Sequence, residues 1–596
     1  MKTTEDTKIG KIVNISGNLI SVQISESVFS TLPIINGIVY RVGQVGSFLR
    51  IPLGYANLYG IVTQIGAEAV PESLKEENPV EYRITTSNRY LSMVLIGERI
   101  GEKFERGVSQ FPTTNDDVHL VTIDDLNLIY GGFDEKNSIP VGNISTSESL
   151  PAKLDLNKIV TRHCAVVGST GSGKSNAVAI ILEAIAKGGF SNARILLIDP
   201  HGEYNESLKK YSKVFKIRVD KILEESELYI PYWALPFKEL MKSFPGRLND
   251  QNEDYLRAEI LKRKRLAVDH LVNKPDILAI TSDSPIPFSL KELWYYLDDF
   301  ERQTHEESGK PETAPKCLLE KGDPNQLISN RYKPASLGSS KPFLNRQAKG
   351  ILGFLEGVRN RVLDQRFSFL YNPGPYNPDL EGKVERDLNC LLEEWLGHEK
   401  IVTILDLSGV PSEIMASISG SVLKIVYDAL FWAQNLSVGG KECPVLIVLE
   451  EAHNYLKAGE DSISSRTVQA IAKEGRKYGV GLLLVTQRPK ELDETVLSQC
   501  GSVIALRMTN RGDRGHVASA VQDELHGIID LLPSLKTGEG IILGEAVKIP
   551  SRLKFAKIAK APKSIDPLVS ERWRGKPPDN SEYEKTVYLW RSQKFK

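Results

Sequence analysis

Eight consecutive residues constrain this chain more than any others: Gly168, Ser169, Thr170, Gly171, Ser172, Gly173, Lys174 and Ser175. The strand-like run CAVV precedes them and the helical run NAVAIILEAIAK follows. The pattern G-x-x-x-x-G-K-[ST] between a strand and a helix is a phosphate-binding loop. Its glycines let the backbone wrap an anion so that successive N–H groups and the helix N-terminus face it. Lys174 is expected to reach the β and γ phosphates of ATP, and Ser175 to bind Mg2+. Asn176, next in the chain, joins the expected nucleotide-binding set. Chance alone produces this pattern in roughly 2 to 3% of chains this long.

A loop of this kind needs an acidic partner at the end of a neighbouring strand. The run VLIVL ends in Glu450-Glu451 and supplies one. Glu450 takes the place usually held by a magnesium-binding aspartate, acting through coordinated water, and Glu451 is placed to polarise the attacking water. Two acids ending a strand are unremarkable alone; beside this loop they complete a hydrolytic set. Gln487, ending GLLLVTQ, has the position of a sensor for the γ-phosphate or lytic water, where the plain alternative is a hydrogen-bonded strand cap. The runs ARILLID and IVTILDLS fall between the two motifs, which argues for an extra strand between the P-loop strand and the acidic strand. That arrangement belongs to NTPases with a catalytic glutamate and disfavours metabolic kinases and Ras-like GTPases.

At 596 residues the chain is long enough for two to four folding units. Residues 1–148 read as short alternating strands broken by turns, the grammar of a small β-barrel that serves assembly or docking. After Pro151, compact apolar runs alternate with helical segments, as in a mainly parallel α/β sheet buried on both faces. This core covers 149–208 and 398–561. A largely helical insertion occupies 209–397, its middle from Thr304 to about Pro342 reading as a mobile loop, and 562–596 forms a linker and a packing tail with Tyr588 and Trp590. The KRKR run at Lys262 to Arg265 reads as a solvated helix face, with DNA phosphate contact as the alternative.

Charge does not discriminate: 75 basic against 76 acidic residues leave a net charge of −1, which neither demands nor excludes nucleic acid. Five scattered cysteines without a CxxC pair suggest free thiols, not a zinc site or a disulfide framework. No uninterrupted apolar stretch of ~18 to 20 residues stands out as a membrane span, and the N-terminus lacks a secretory signal, so a cytoplasmic location without a membrane is expected. His201 and His453 are not spaced as a metal pair and are expected to position loops or couple the ATP site to DNA.

Taken together, STGSGKSNAVA, IDPHGEY, ILDLSGVP, VLEEAHNYL, KEGRKYGVGLLLVTQRP and LKTGEGIILGEAVKIPSRL resemble the HerA branch of the HerA/FtsK superfamily. The resemblance spans the core on both sides of the insertion, and the N-terminal segment is similar to that family's barrel domain. It implies a RecA-like P-loop ATPase core and a homohexameric ring that threads double-stranded DNA using ATP. It implies that Arg476 acts on ATP held by the adjacent subunit, and that Arg162 belongs to the nucleotide site. It places Asp199 near magnesium and the lytic water, with helix capping as the alternative role. HerA-like proteins commonly work with a nuclease, such as a NurA-like enzyme, or with a Sir2-like or other antiphage defence effector. This chain has no nuclease or NADase constellation, so such an activity would come from a partner. An ATP-controlled scaffold for that effector is the second reading, and a secretion or conjugation ATPase the third.

Overall fold

The computed structural model describes residues 7–25, 34–35, 38–39, 44–66, 89–132, 134–145, 147–217, 219, 225–307, 314–336, 340–410, 412–459, 461–519, 526–562, 574 and 580–592. Seven strands form the N-terminal sheet: β1 (Lys8–Ser16), β2 (Leu19–Ile24), β3 (Phe48–Leu53), β4 (Ala56–Ile65), β5 (Arg89–Ile100), β6 (Lys103–Arg106) and β7 (Asp117–Leu120). All their pairings are antiparallel, and β2 also pairs with β5, closing six of the strands into a barrel with β6 attached outside. Alternation drives the closure. Ile12, Ile20, Val22, Leu49, Ile51, Leu58, Val62, Leu91 and Met93 point inward and are buried together.

The second sheet holds twelve strands: β8 (Ser138–Ile144), β9 (Ser147–Asp155), β10 (Cys164–Val167), β11 (Arg194–Asp199), β12 (Ser212–Lys216), β13 (Ser226–Glu227), β14 (Val402–Asp406), β15 (Val445–Leu449), β16 (Val480–Thr486), β17 (Ser502–Leu506), β18 (Glu539–Gly544) and β19 (Ser551–Phe555). Their order is β9-β8-β19-β18-β17-β10-β16-β15-β11-β14-β12-β13. The eight strands from β17 to β13 are mutually parallel, and the other four add an antiparallel wing. The central strands β10, β14, β15, β16 and β17 are buried at every position, as their unbroken apolar runs require of a sheet covered on both faces.

One strand does lie between the P-loop strand and the acidic strand, and it is β16. The runs in the intervening sequence, β11 and β14, lie beyond the acidic strand β15 instead. Residue 148 falls inside the β8–β9 hairpin, which pairs with β19 and is part of the core sheet. The segment 209–397 likewise contributes β12 and β13 to that sheet, and its helices share one apolar cluster with the sheet face, including Trp233, Trp294, Trp395, Leu196 and Leu405. The described part of Thr304 to Pro342 is built rather than loose. Thr304–His305 pairs with Phe343–Leu344, Leu318–Glu320 pairs with Arg331–Tyr332, and Asp299 accepts from Tyr332 and Asn330 while pairing with Lys316.

Two further expectations change. In the KRKR run, Lys264 is buried with its Nζ on the carbonyls of Ser282 (2.9 Å) and Ser284 (2.6 Å), and Arg263 pairs with Glu259 and Glu292. Only Lys262 and Arg265 face solvent fully. The C-terminal helix Asn580–Ser592 leaves Tyr583 and Tyr588 largely exposed, so Tyr588 is not part of a buried packing face among the described residues, while the side chain of Trp590 lies outside them. The span Ile414–Trp432, within helix Ser412–Trp432, is long and apolar enough to cross a membrane by length and composition. It carries Lys424 and Asp428 and buries Ile418, Val422, Leu423, Val426 and Leu430 in the core. All five cysteines are free thiols.

Candidate active site

Parallel strands present their carboxyl ends along one edge, where ligands of such sheets bind. Register brings the relevant ends together. Val167 lies beside Thr486 and Ala505, Leu449 beside Leu484 and Ile198, and Asp199 beside Asp406.

The P-loop bridges β10 and helix Lys174–Lys187, which the chain enters through Gly173 at φ 104°. A side chain there would be strained, and its Cβ would come within 3.1 Å of the Gly538 nitrogen. The loop is held at both sides: Gly168 N–H donates to Thr486 O, Ser169 N–H to Arg507 O at 3.0 Å, and Gly538 N–H to Ser172 O at 2.9 Å. Lys174 is buried, with its Nζ 3.3 Å from Ser169 O. Burial lowers its pKa, opposed by the charges of Glu451, Glu450 and Glu203.

The acids crowd behind it. Glu450 is fully enclosed and accepts from the Tyr204 hydroxyl at 2.9 Å. Burial first, and then Asp199, Glu451 and Glu203, push its pKa up to about 8 against the Tyr204 bond. Glu451 takes a left-handed backbone at φ 49° and ψ 49°, a conformation that a non-glycine residue adopts at a cost of order 1 to 3 kcal/mol and that gathers at functional sites. Its Oε2 is buried and without a hydrogen bond. His453 Nδ1 stands 3.3 Å from it, within ion-pair distance but not aligned to donate. Asp199 spends both oxygens on its own loop, accepting from the N–H groups of His201 (3.1 Å), Gly202 (2.9 Å) and Tyr204 (3.1 Å). Burial raises its pKa to about 7 in spite of these bonds. Asp199 thus anchors the turn that delivers Tyr204 to Glu450.

ATP and magnesium fit what is present. A buried cation without a bonded carboxylate, the orphaned Ser172 hydroxyl, the unpaired Glu451 oxygen and four acids within electrostatic reach all call for a phosphate and a divalent ion. Among the described residues no cluster of three or more His, Cys, Asp or Glu could hold a metal alone. Ser175 and Glu450 would therefore hold magnesium together with phosphate and water.

Gln487 sits over the loop, its Oε1 accepting from the Thr170 hydroxyl at 2.5 Å. Asn176 does not face the phosphate site, because its amide bridges to Ala556 O (2.9 Å) and the Ile558 N–H (3.3 Å). Arg162 and Arg476 are not brought to the P-loop either. Arg162 caps helix Leu156–Thr161 ahead of β10, and Arg476 lies in the single 3₁₀ turn Gly475–Tyr478 ahead of β16, so both occupy the amino edge of the sheet. Arg162 Nε is 3.7 Å from Glu545, and Arg476 is exposed. A four-residue strand separates the Arg162 edge from the P-loop by roughly 13 Å at ~3.3 Å per residue. Sequence reasoning missed Tyr204 and Asp406. Tyr204 lay in view inside IDPHGEY, and Asp406, which accepts from Asn205 at 2.6 Å and Ser408 N–H at 2.9 Å, ended a recognised strand.

The P-loop, the acidic pair one strand removed from it, and the glutamine just past the strand between define a P-loop ATPase. Two family models then join across the core: the helicase HerA central domain over residues 139–426 and the helicase HerA-like C-terminal domain over 417–586. The chain belongs to the HerA family. It is 26% identical over 444 residues to the DNA double-strand break repair helicase HerA of Saccharolobus solfataricus, covering 74% of this chain and 73% of that one. With the protein of the same description from Pyrococcus furiosus it shares 27% over 467 residues, 74% of this chain and 72% of the relative. VirB4 of Thermoanaerobacter pseudethanolicus aligns over 72% of this chain and 99% of its own, with 14% identity and a TM-score of 0.43.

Proposed function

We propose that this chain is a motor ATPase that assembles as a homohexameric ring in the cytoplasm and translocates double-stranded DNA through the ring. The observation that carries the ring is the placement of Arg162 and Arg476 on the sheet edge opposite their own P-loop. Neither reaches that loop within one chain, whereas a neighbour's nucleotide laid against this edge would meet both. The relatives' descriptions as DNA double-strand break repair helicases support DNA as the substrate.

ATP supplies the scissile phosphoanhydride; Ser175 and Glu450 would hold a magnesium ion, which would offset the phosphate charge when bound. Lys174 neutralises the β and γ phosphates, and the P-loop amides fix their position. Glu451 takes the proton of the attacking water, which Gln487 orients. Arg476 of the adjacent subunit stabilises charge developing on the transferred phosphoryl group. Asp199 sets the Tyr204 turn behind Glu450. Motor action serves a partner effector, a NurA-like nuclease or a Sir2-like or other defence protein, and recovery of one by affinity purification would name it.

The test is ATP turnover by the assembled protein with and without duplex DNA. Duplex should raise turnover several-fold, and raising the salt from 50 to 200 mM should lower the apparent DNA affinity by about two orders of magnitude or more, because phosphate contacts release counterions. Turnover indifferent to DNA of any form would overturn the motor and favour an ATP-controlled scaffold for the effector.

A further inference from the structure

His453 is buried two residues after Glu451, in a 3₁₀ turn with nothing in the hydrolytic scheme to do. Its Nδ1 stands between two oxygens, 3.3 Å from Glu451 Oε2 and 3.1 Å from Thr486 Oγ1. With the proton on Nδ1, the ring presents an N–H and not a lone pair to both oxygens. That N–H is aligned on Thr486 and stands adjacent to Glu451 without bonding it. Thr486 Oγ1 also accepts the Arg488 N–H at 3.0 Å, so the hydroxyl is held by the backbone of its own strand end. The first residue after β16 is Gln487, bonded to Thr170 of the P-loop. The order of contacts is therefore Glu451, His453, Thr486, Gln487, Thr170. The remaining charges facing the imidazole are Glu491, Arg488 and Lys174, and burial disfavours its cationic form. A neutral donor on a short tether suits a directing role better than a charge-pairing one.

We infer that His453 is a positioning residue that steers the carboxylate of Glu451 and ties its orientation to the strand end carrying Gln487. Its N–H rests on Thr486 while Gln487 holds Thr170. When Gln487 turns to a γ-phosphate, the same N–H shifts to Glu451 Oε2 and sets the carboxylate on the water. This inference rests on the reading of Glu451 as the base, and the experiment separates the two.

The measurement is steady-state ATP hydrolysis by the assembled protein for wild type, His453→Ala, His453→Asn, Thr486→Val, the His453→Ala/Thr486→Val pair, Glu451→Gln, and Glu451→Gln combined with His453→Ala. His453→Ala should lower kcat about 10- to 100-fold with KM for ATP within about twofold. His453→Asn, which places an amide donor near the Nδ1 position, should recover kcat to within about fivefold of wild type. Thr486→Val should lower kcat less than His453→Ala, and the pair should be no slower than His453→Ala alone, the mark of residues acting through one another. In the Glu451→Gln protein, His453→Ala should change nothing further. Wild-type kcat in His453→Ala, multiplicative losses in the pair, or an equal rise in KM would overturn the inference while leaving Glu451 as base. Wild-type turnover in Glu451→Gln would overturn the base reading itself. If His453→Ala unfolds by circular dichroism, Thr486→Val and His453→Asn decide: wild-type kcat in Thr486→Val, or a loss of about tenfold or more in His453→Asn, rules the linkage out.

Discussion

At the residue scale, the P-loop was fully legible in the sequence because its chemistry is local. The proposed contacts, backbone amides with one lysine and one hydroxyl, lie within eight residues, and contiguous residues need no tertiary knowledge. Lys174→Ala removes charge-assisted hydrogen bonds to phosphate worth about 1.5 to 3 kcal/mol. The dissociation constant for ATP should rise at least about tenfold in a fluorescent-nucleotide titration; unchanged affinity would remove Lys174 from the site. Glu451→Gln should bind ATP as well as wild type and hydrolyse it about 100-fold or more slowly, measured by rapid quench after nucleotide loading. Asn176 shows where contiguity misleads. It follows Ser175 directly, yet its amide is spent on Ala556 and Ile558, partners that no local pattern announces. The Tyr204–Glu450 bond was hidden for the same reason, since it joins residues brought together only by β11 and β15 pairing.

At the element scale, unbroken apolar runs identified the buried parallel strands, and period-two alternation identified the barrel. Strand order was not readable from chain order. That a strand separates β10 from β15 was a correct inference, but the strand that does so comes later in the chain than either. Helical composition also concealed β12 and β13, which are short and lie at the sheet's far edge. The turn carrying Arg476 is fixed by Gly479 at φ 66°, where an added Cβ would lie 1.7 Å from Gly440 O. Gly479→Ala therefore cannot be absorbed by a side-chain shift and should cost about 2 to 4 kcal/mol, read as a lower urea midpoint. A variant as stable as wild type would refute that packing.

The loop into β14 adds a pH dependence. His398 Nε2 lies 2.7 Å from the Thr403 hydroxyl, and burial together with Lys213, Arg194 and Lys400 lowers its pKa to about 4. The unfolded chain, with histidine near 6.5, binds more protons between pH 6.5 and 4. Stability thus falls as pH drops through that window, and His398→Gln should reduce the fall. Urea midpoints at pH 7, 5.5 and 4.5 check this; an identical pH slope in the variant would contradict it.

At the scale of the whole molecule, a net charge of −1 left DNA undecided, because binding depends on where charge sits and not on its sum. The parallel sheet carries the P-loop, the acids and the glutamine at its carboxyl edge, and Arg162 and Arg476 at its amino edge. The roles proposed for these arginines come from the resemblance; the fold adds that they lie on the edge away from their own P-loop.

The central claim is that each site is shared between two copies, and mixing two inactive variants tests it most directly. Lys174→Ala and Arg476→Ala each remove one half of every site in a uniform ring. Rings mixed from both contain interfaces where an intact Lys174 faces an intact Arg476, so the mixture should recover a clear fraction of wild-type ATP turnover that neither variant shows alone. No recovery in rings shown by mass photometry to contain both variants, or full turnover by a monomer, would contradict the account.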